Sequence, residues 1–209
     1  MGAETVSLQT IDGVVLEADV IRVDSDRPRA FVVIAHPHPL HGGDRHNHVV
    51  RALLSAAHDL GCHSVAPDFR GAGGSMGTHD DGVSEVLDLA AACELAAFVA
   101  EDVPVVLAGY SFGAAVSLGV VHSAVAGWLA VAPPASMLRP APVAASGHLP
   151  KRIILPAHDQ FTTVEELSDV TADWRNTTVS VLPRVDHFIA AGAEDACRDA
   201  LSGLLAGIA

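Results

Sequence analysis

The chain has 209 residues, half of them apolar, with 12 basic against 25 acidic side chains and a formal charge of −13. That length and composition predict one substantial buried core rather than a disordered chain. With Lys151 the single lysine, the phosphate-neutralising footprint of a nucleic-acid or anionic-membrane binder is missing, so both are poor partners.

The first 23 residues predict a hairpin, "TVSLQT" and "VVLEADVIRV", joined by the turn pair Asp12-Gly13. After "DSDRPR" the pattern changes to short continuous apolar runs alternating with amphipathic stretches, the mark of strands covered on both faces. The buried strands predicted are 30–35, 63–67, 105–109, 128–132, 152–157 and 178–182. Helices are predicted at 47–60, stopped by Gly61, and at 83–100, 112–122, 163–173 and 190–207. In the second helix, Val83, Val86, Leu87, Ala90, Ala91 and Phe98 mark the inward face, with Glu85, Asp88 and Glu101 turned away. Eight strands with intervening helices imply an α/β fold, an antiparallel start and a mostly parallel remainder. The alternation resumes directly after the Pro- and Ala-rich segment 133–150. Residues 1–209 therefore read as a single domain with that segment as a minimal lip.

The cysteines, Cys62, Cys93 and Cys197, are odd in number and lie in or beside apolar segments, which suits buried reduced thiols and a reducing compartment. "MGAETVSLQT" lacks a basic and apolar leader, Val6 stands where a myristoylation signal needs Ser or Thr, and no run of 18 apolar residues occurs. A cytoplasmic protein is the expectation, with self-association left open.

Two glycine- or histidine-rich stretches invite binding readings. "HPHPLHGGDRHNH" (36–48) carries His36, His38 and His41 in an H-x-H-x-x-H spacing that resembles the metal-binding run of metallo-β-lactamase-like hydrolases. Leu40, however, occupies the place of that pattern's metal-binding aspartate, and later histidines such as His122 and His158 show no matching spacing. "DFRGAGGSMGTHDDG" (68–82) has the glycines of a phosphate loop but lacks the Gly-Lys-Ser/Thr ending, and Asp80 and Asp81 would repel phosphate. It reads as a tight loop with Asp68 and Arg70 in local polar contacts. His58, His63 and His79 read as surface or satisfied loop residues, and no metal or cofactor is expected.

The sharpest signal is "VVLAGYSFGAA", an apolar strand running through Gly109-Tyr110-Ser111-Phe112-Gly113 into an alanine-rich helix. This is G-x-S-x-G in the strand, sharp turn, helix setting of a nucleophile elbow. A strained serine needs small neighbours two positions away, and the helix N-terminus adds positive potential. A serine is a weak nucleophile without a base, which calls for a histidine oriented by a carboxylate on later strands. Asp159 follows one predicted strand and His187 the next, in the chain order Ser, Asp, His. Asp186 competes for the acid role, but its adjacency to His187 gives poor geometry for orienting the ring.

With these residues in place the chain resembles an α/β-hydrolase over essentially its whole length. "AHPHPLHGGDRHNHVV", "DFRGAGGSMG", "GYSFG", "APP", "HDQF" and "DHF" are similar to a small, cap-poor branch containing dienelactone hydrolase-like and acyl-peptidase-like proteins. The resemblance implies that the loop after the third strand supplies the second oxyanion amide beside that of Phe112. Pro37 and Pro39 have no N–H, so His38 is the favoured donor and Leu40 the reserve. The chain departs from the pattern at "PAHD", where a glycine commonly precedes the acid, and in the reduced cap, which implies an open or shallow site. The expected activity is hydrolysis of a small carboxylic ester through a Ser111 acyl-enzyme. Thioester or peptide hydrolysis is the same-class alternative. A metal-dependent hydrolase using 36–48 and a non-catalytic binding protein are the different-class alternatives.

Overall fold

The opening hairpin forms around Gly13, whose φ of 88° lies in the left-handed region that glycine adopts without penalty. In this computed structural model, which describes residues 2–25 and 27–208, β1 (Ala3–Gln9) pairs antiparallel with β2 (Val15–Ile21). β2 then pairs antiparallel with β4 (His63–Pro67), and from there the sheet is parallel: β3 (Phe31–Ala35), β5 (Val105–Tyr110), β6 (Val125–Val131), β7 (Lys151–His158) and β8 (Thr177–Asp186). The order across the eight strands is β1-β2-β4-β3-β5-β6-β7-β8. β3, β4 and β5 are buried along their whole length, as two-sided cover requires.

One face packs on α1 (His48–Asp59) and α6 (Ala193–Leu205), through Leu53, Ile34, Val106 and Leu201. The other packs on α2 (Glu85–Val99) and α3 (Phe112–Leu118), through Leu89, Cys93, Leu107 and Val116. Gly61, at φ 74°, ends the α1 turn as its position in the sequence predicts. The lip 133–150 holds a 3-10 turn (Ala135–Leu138) and the one-turn α4 (Val143–Ser146), and α5 (Val164–Thr171) carries a Thr163–Glu166 capping box. Lys151, the single lysine, is buried and donates to the carbonyls of Gly147 (3.0 Å) and Leu149 (2.7 Å), which ties the lip to β7.

Three expectations are corrected. The inward face of α2 is Glu85, Asp88, Leu89, Ala92, Cys93 and Ala96, while Phe98 is 88% and Val83 72% exposed. The buried carboxylates are fully partnered: Asp88 takes the Arg70 amide and guanidinium, and Glu85 takes the amides of Asp80 and Gly82. β8 is an edge strand, with Val179 and Val181 partly exposed instead of core. α3 stops at Leu118, before Gly119, instead of reaching 122. The three cysteines are buried free thiols, and burial pushes Cys62 up to about 11 and Cys93 and Cys197 to about 12. Among the described residues no helix is long and apolar enough to cross a membrane.

Candidate active site

β5 lies centrally between β3 and β6 and delivers Ser111 to the end of the sheet. Ser111 has φ 54° and ψ −120°, a conformation that costs a non-glycine residue energy and that neighbouring bonds must enforce. They do so here: its amide donates to Val131 O at 2.8 Å and its carbonyl accepts from Ala115 N at 3.2 Å. A Cβ on Gly109 would come within 2.6 Å of the Gly113 carbonyl, and one on Gly113 would strike the His36 carbonyl and lie 2.7 Å from that of Ala35. Both glycines are therefore dictated by the closeness of β5, α3 and the end of β3.

β7 and β8 end beside this turn. His187 Nε2 lies 2.9 Å from Ser111 Oγ, and its Nδ1 lies 2.7 Å from Asp159 Oδ2. The Asp159 side chain is wholly buried, and its other oxygen accepts the amides of Phe161 (2.8 Å) and Thr162 (3.1 Å), which fix the carboxylate. Asp186, the competitor, instead accepts the Phe188 amide in its own turn. The structure thus brings Ser111, His187 and Asp159 into one hydrogen-bonded line.

The histidine run separates into different tasks. His36 is buried, with Nδ1 donating to Pro37 O (2.6 Å) and Nε2 accepting from Phe69 N (2.9 Å). Burial lowers its pKa, and both nitrogens are occupied as a neutral brace between two loops, so it does not join His38 and His41 as a ligand. The Leu40 amide donates to His38 Nδ1 at 3.2 Å, His41 and Gly43 amides to His38 O, and the Gly42 amide to Pro39 O. Among the described residues this leaves His38 as the one amide of 37–43 without a protein acceptor, and Leu40 is no longer free as the reserve. Phe112, first residue of α3, likewise has no protein acceptor for its amide, and its ring lies 4.9 Å from that of His38. Burial and the neighbouring His79 and His41 rings lower the His38 pKa.

Ser111, His187, His38 and Phe112 line a cleft of about 540 Å³ whose remaining walls are largely apolar, including Tyr110, Pro134, Met137, Phe161 and Phe188. Leu40, Phe161 and Phe188 are exposed at this end of the sheet, so the lip does not roof it over.

The sequence model of the alpha/beta hydrolase family matches residues 32–206. The chain belongs to the alpha/beta hydrolase family. It is similar to an alpha-beta serine hydrolase homologue from Coxiella burnetii, with 29% identity, 98% of each chain covered and a TM-score of 0.86. It is also similar to a lidless α/β serine hydrolase from Xanthomonas campestris, with 26% identity, 98% of this chain and 94% of that one covered, and a TM-score of 0.85. An uncharacterised protein of Rickettsia prowazekii is 28% identical over 178 residues, 78% of this chain and 70% of that protein.

Within this alpha/beta hydrolase, several further side chains hold the Ser111 line in place, in roles the motifs do not assign them. Tyr110, expected only as an elbow residue, donates its hydroxyl to His187 O at 2.8 Å. Gln160 Oε1 accepts the His187 amide at 3.1 Å, and His48 Nε2 donates to Phe188 O at 2.8 Å. Thr162 joins the acid loop to the lip, donating to Pro133 O and accepting from Ala135 N. Tyr110, Gln160 and His48 are sequence neighbours of motif residues or members of the histidine run, and adjacency was their only signal.

Proposed function

We propose that this alpha/beta hydrolase is a serine hydrolase that cleaves a carboxylic ester of a small molecule through an acyl-enzyme. The observation that carries the reading is the unbroken line from Ser111 Oγ to His187 Nε2 (2.9 Å) and from His187 Nδ1 to Asp159 Oδ2 (2.7 Å). The buried carboxylate favours the tautomer with a proton on Nδ1, leaving the Nε2 lone pair to take the serine proton. Ser111 Oγ attacks the acyl carbon as that proton moves to Nε2. The carbonyl oxygen becomes an anion in reach of the two amides without protein acceptors, those of Phe112 and His38.

The ester C–O bond then breaks and the alcohol leaves with the proton from His187. Water enters the open cleft, gives a proton to His187 and attacks the acyl carbon, and the acid leaves as Ser111 recovers its proton. The apolar walls suit an apolar acyl or alkyl group, and the name of the Xanthomonas campestris neighbour, a serine hydrolase without lid, supports an unroofed site of this kind.

The test is labelling with a fluorophosphonate probe together with turnover of p-nitrophenyl esters of graded acyl length. The wild type is expected to label once and to hydrolyse the esters, and Ser111→Ala to do neither. Labelling that persists in Ser111→Ala would remove Ser111 as the nucleophile.

A further inference from the structure

We propose that His38, His79 and Asp81 form a site for a divalent transition metal, zinc being the best match, that bridges the loop after β3 to the loop after β4. The sequence pointed to His36, His38 and His41 as the metal candidates and treated His79 as a satisfied loop residue. The fold regroups them. One ligand atom from each of His38, His79 and Asp81 lies within 4.8 Å of the other two, although the residues come from loops some forty positions apart. This inference is independent of the hydrolytic reading of Ser111.

The second observation is the state of His79. Its side chain is only 7% exposed, yet both ring nitrogens are buried without a hydrogen bond. Carboxylate oxygens stand close to each, Glu85 Oε1 at 2.8 Å from Nδ1 and Asp81 Oδ1 at 3.2 Å from Nε2, but neither approach has hydrogen-bond alignment. Glu85 cannot turn to improve its contact, because its two oxygens hold the amides of Asp80 and Gly82 at 2.7 and 2.8 Å. Among the described residues a buried imidazole is thus held between two carboxylates with neither ring nitrogen hydrogen-bonded. A cation on the Nε2 side satisfies that nitrogen and neutralises Asp81, with the Glu85 carboxylate 2.8 Å from Nδ1 adding negative charge behind the ring.

The donor set selects the ion. Two imidazoles and one carboxylate match zinc far better than magnesium or calcium, which prefer oxygen ligands. Zinc bonds of about 2.0–2.1 Å at tetrahedral angles place ligand atoms about 3.3 Å apart, and the His79 to Asp81 separation is already 3.2 Å. His38 closes the set with one of its ring nitrogens. Asp81 is 90% exposed at its side chain, which leaves an entry path, and the fourth position falls to water.

The experiment uses the full chain, stripped with a chelator and then titrated with zinc chloride and, separately, with cobalt(II) as a spectroscopic probe. Expected are saturable binding of one zinc per chain, a zinc-dependent rise in melting temperature and visible cobalt bands of a low-coordinate site. Asp81→Asn changes an exposed residue at φ 50°, a conformation Asn tolerates, and is expected to weaken binding at least tenfold without lowering the metal-free melting temperature. His79→Gln is expected to weaken it likewise, and His46→Ala, in the remaining part of the histidine run, to leave it unchanged. The proposal fails if no saturable binding occurs, if Asp81→Asn and His79→Gln bind as the wild type does, or if His46→Ala abolishes binding.

Discussion

The Tyr110 hydroxyl donates to the carbonyl of His187 at 2.8 Å, joining the last residue of the central strand to the loop that carries the imidazole facing its neighbour Ser111. Both groups are buried, and burial pushes the Tyr110 pKa upward, so the phenol stays a neutral donor. Tyr110→Phe keeps the ring packing and leaves the carbonyl unpaired, at about 1–2 kcal/mol. The expected result is a slightly lower melting temperature and a fall of up to about tenfold in kcat/KM as the His187 loop loosens. Steady-state kinetics beside thermal unfolding checks it, and unchanged kinetics with a lowered melting temperature would restrict Tyr110 to a packing role.

Asp159→Asn separates orientation from shape. The amide can still accept the Phe161 and Thr162 N–H groups through its oxygen. Its NH2 then donates to His187 Nδ1, which moves the imidazole proton to Nε2 and removes the lone pair that faces Ser111. On the proposed mechanism a fall of roughly 10⁴ in kcat is expected, as for the equivalent change in a Ser-His-Asp triad, with little change in melting temperature. Turnover within tenfold of the wild type would rule out Asp159 as the orienting acid.

The parts of the fold legible in the sequence were those governed by local rules. The Ser111 turn was readable because glycine at 109 and 113 is a steric necessity, and the strands because continuous apolar runs mark two-sided burial. α2 departs from expectation for a physical reason: its segment is apolar at all but three of its fifteen positions, so periodicity carries little information, and its charges read as exposed. Glu85 and Asp88 are buried because their partners, the amides of Asp80 and Gly82 and the Arg70 guanidinium, arrive from the preceding loop. The same holds for His36, whose place in a histidine run suggested ligation although its partner is the Phe69 amide 33 positions away. Non-local satisfaction of polar groups is what sequence periodicity does not encode.

The Arg70 cluster provides a prediction with a pH axis. The Arg70 guanidinium is only 6% exposed and is shared between Asp88, fully buried, and Asp12, 38% exposed. Asp88→Ala leaves a buried cation with one partly exposed partner and is expected to cost about 3–5 kcal/mol. Asp12→Asn is milder and acid-dependent. Hydrogen bonds from Arg70 and Thr10 hold the Asp12 carboxyl at about 2 against an ordinary 3.8, so its contribution is fully present above about 4 and is lost as pH falls through about 2. The melting-temperature gap between wild type and Asp12→Asn should therefore be constant near neutrality and close over that acid window. A gap that persists at the acid end would mean that the carboxylate charge is not its source.

His36→Phe tests whether this histidine is a brace. The substitution keeps an aromatic ring against Phe69, whose centroid is 4.7 Å away. It removes the acceptor for the buried Phe69 amide and the donor to Pro37 O. Leaving two polar groups unpaired costs about 2–4 kcal/mol, which for a chain of this size corresponds to roughly 5–15 °C in melting temperature. Because Pro37 adjoins the free amide of His38, the loss of its bond also lets that amide drift from the Ser111 turn. Catalytic loss should then appear in kcat more than in KM, as for an interaction made mainly in the transition state. Retained stability with retained kcat would show that ring packing alone holds the loop, and the free His38 amide would then owe its position to Pro37 and Pro39.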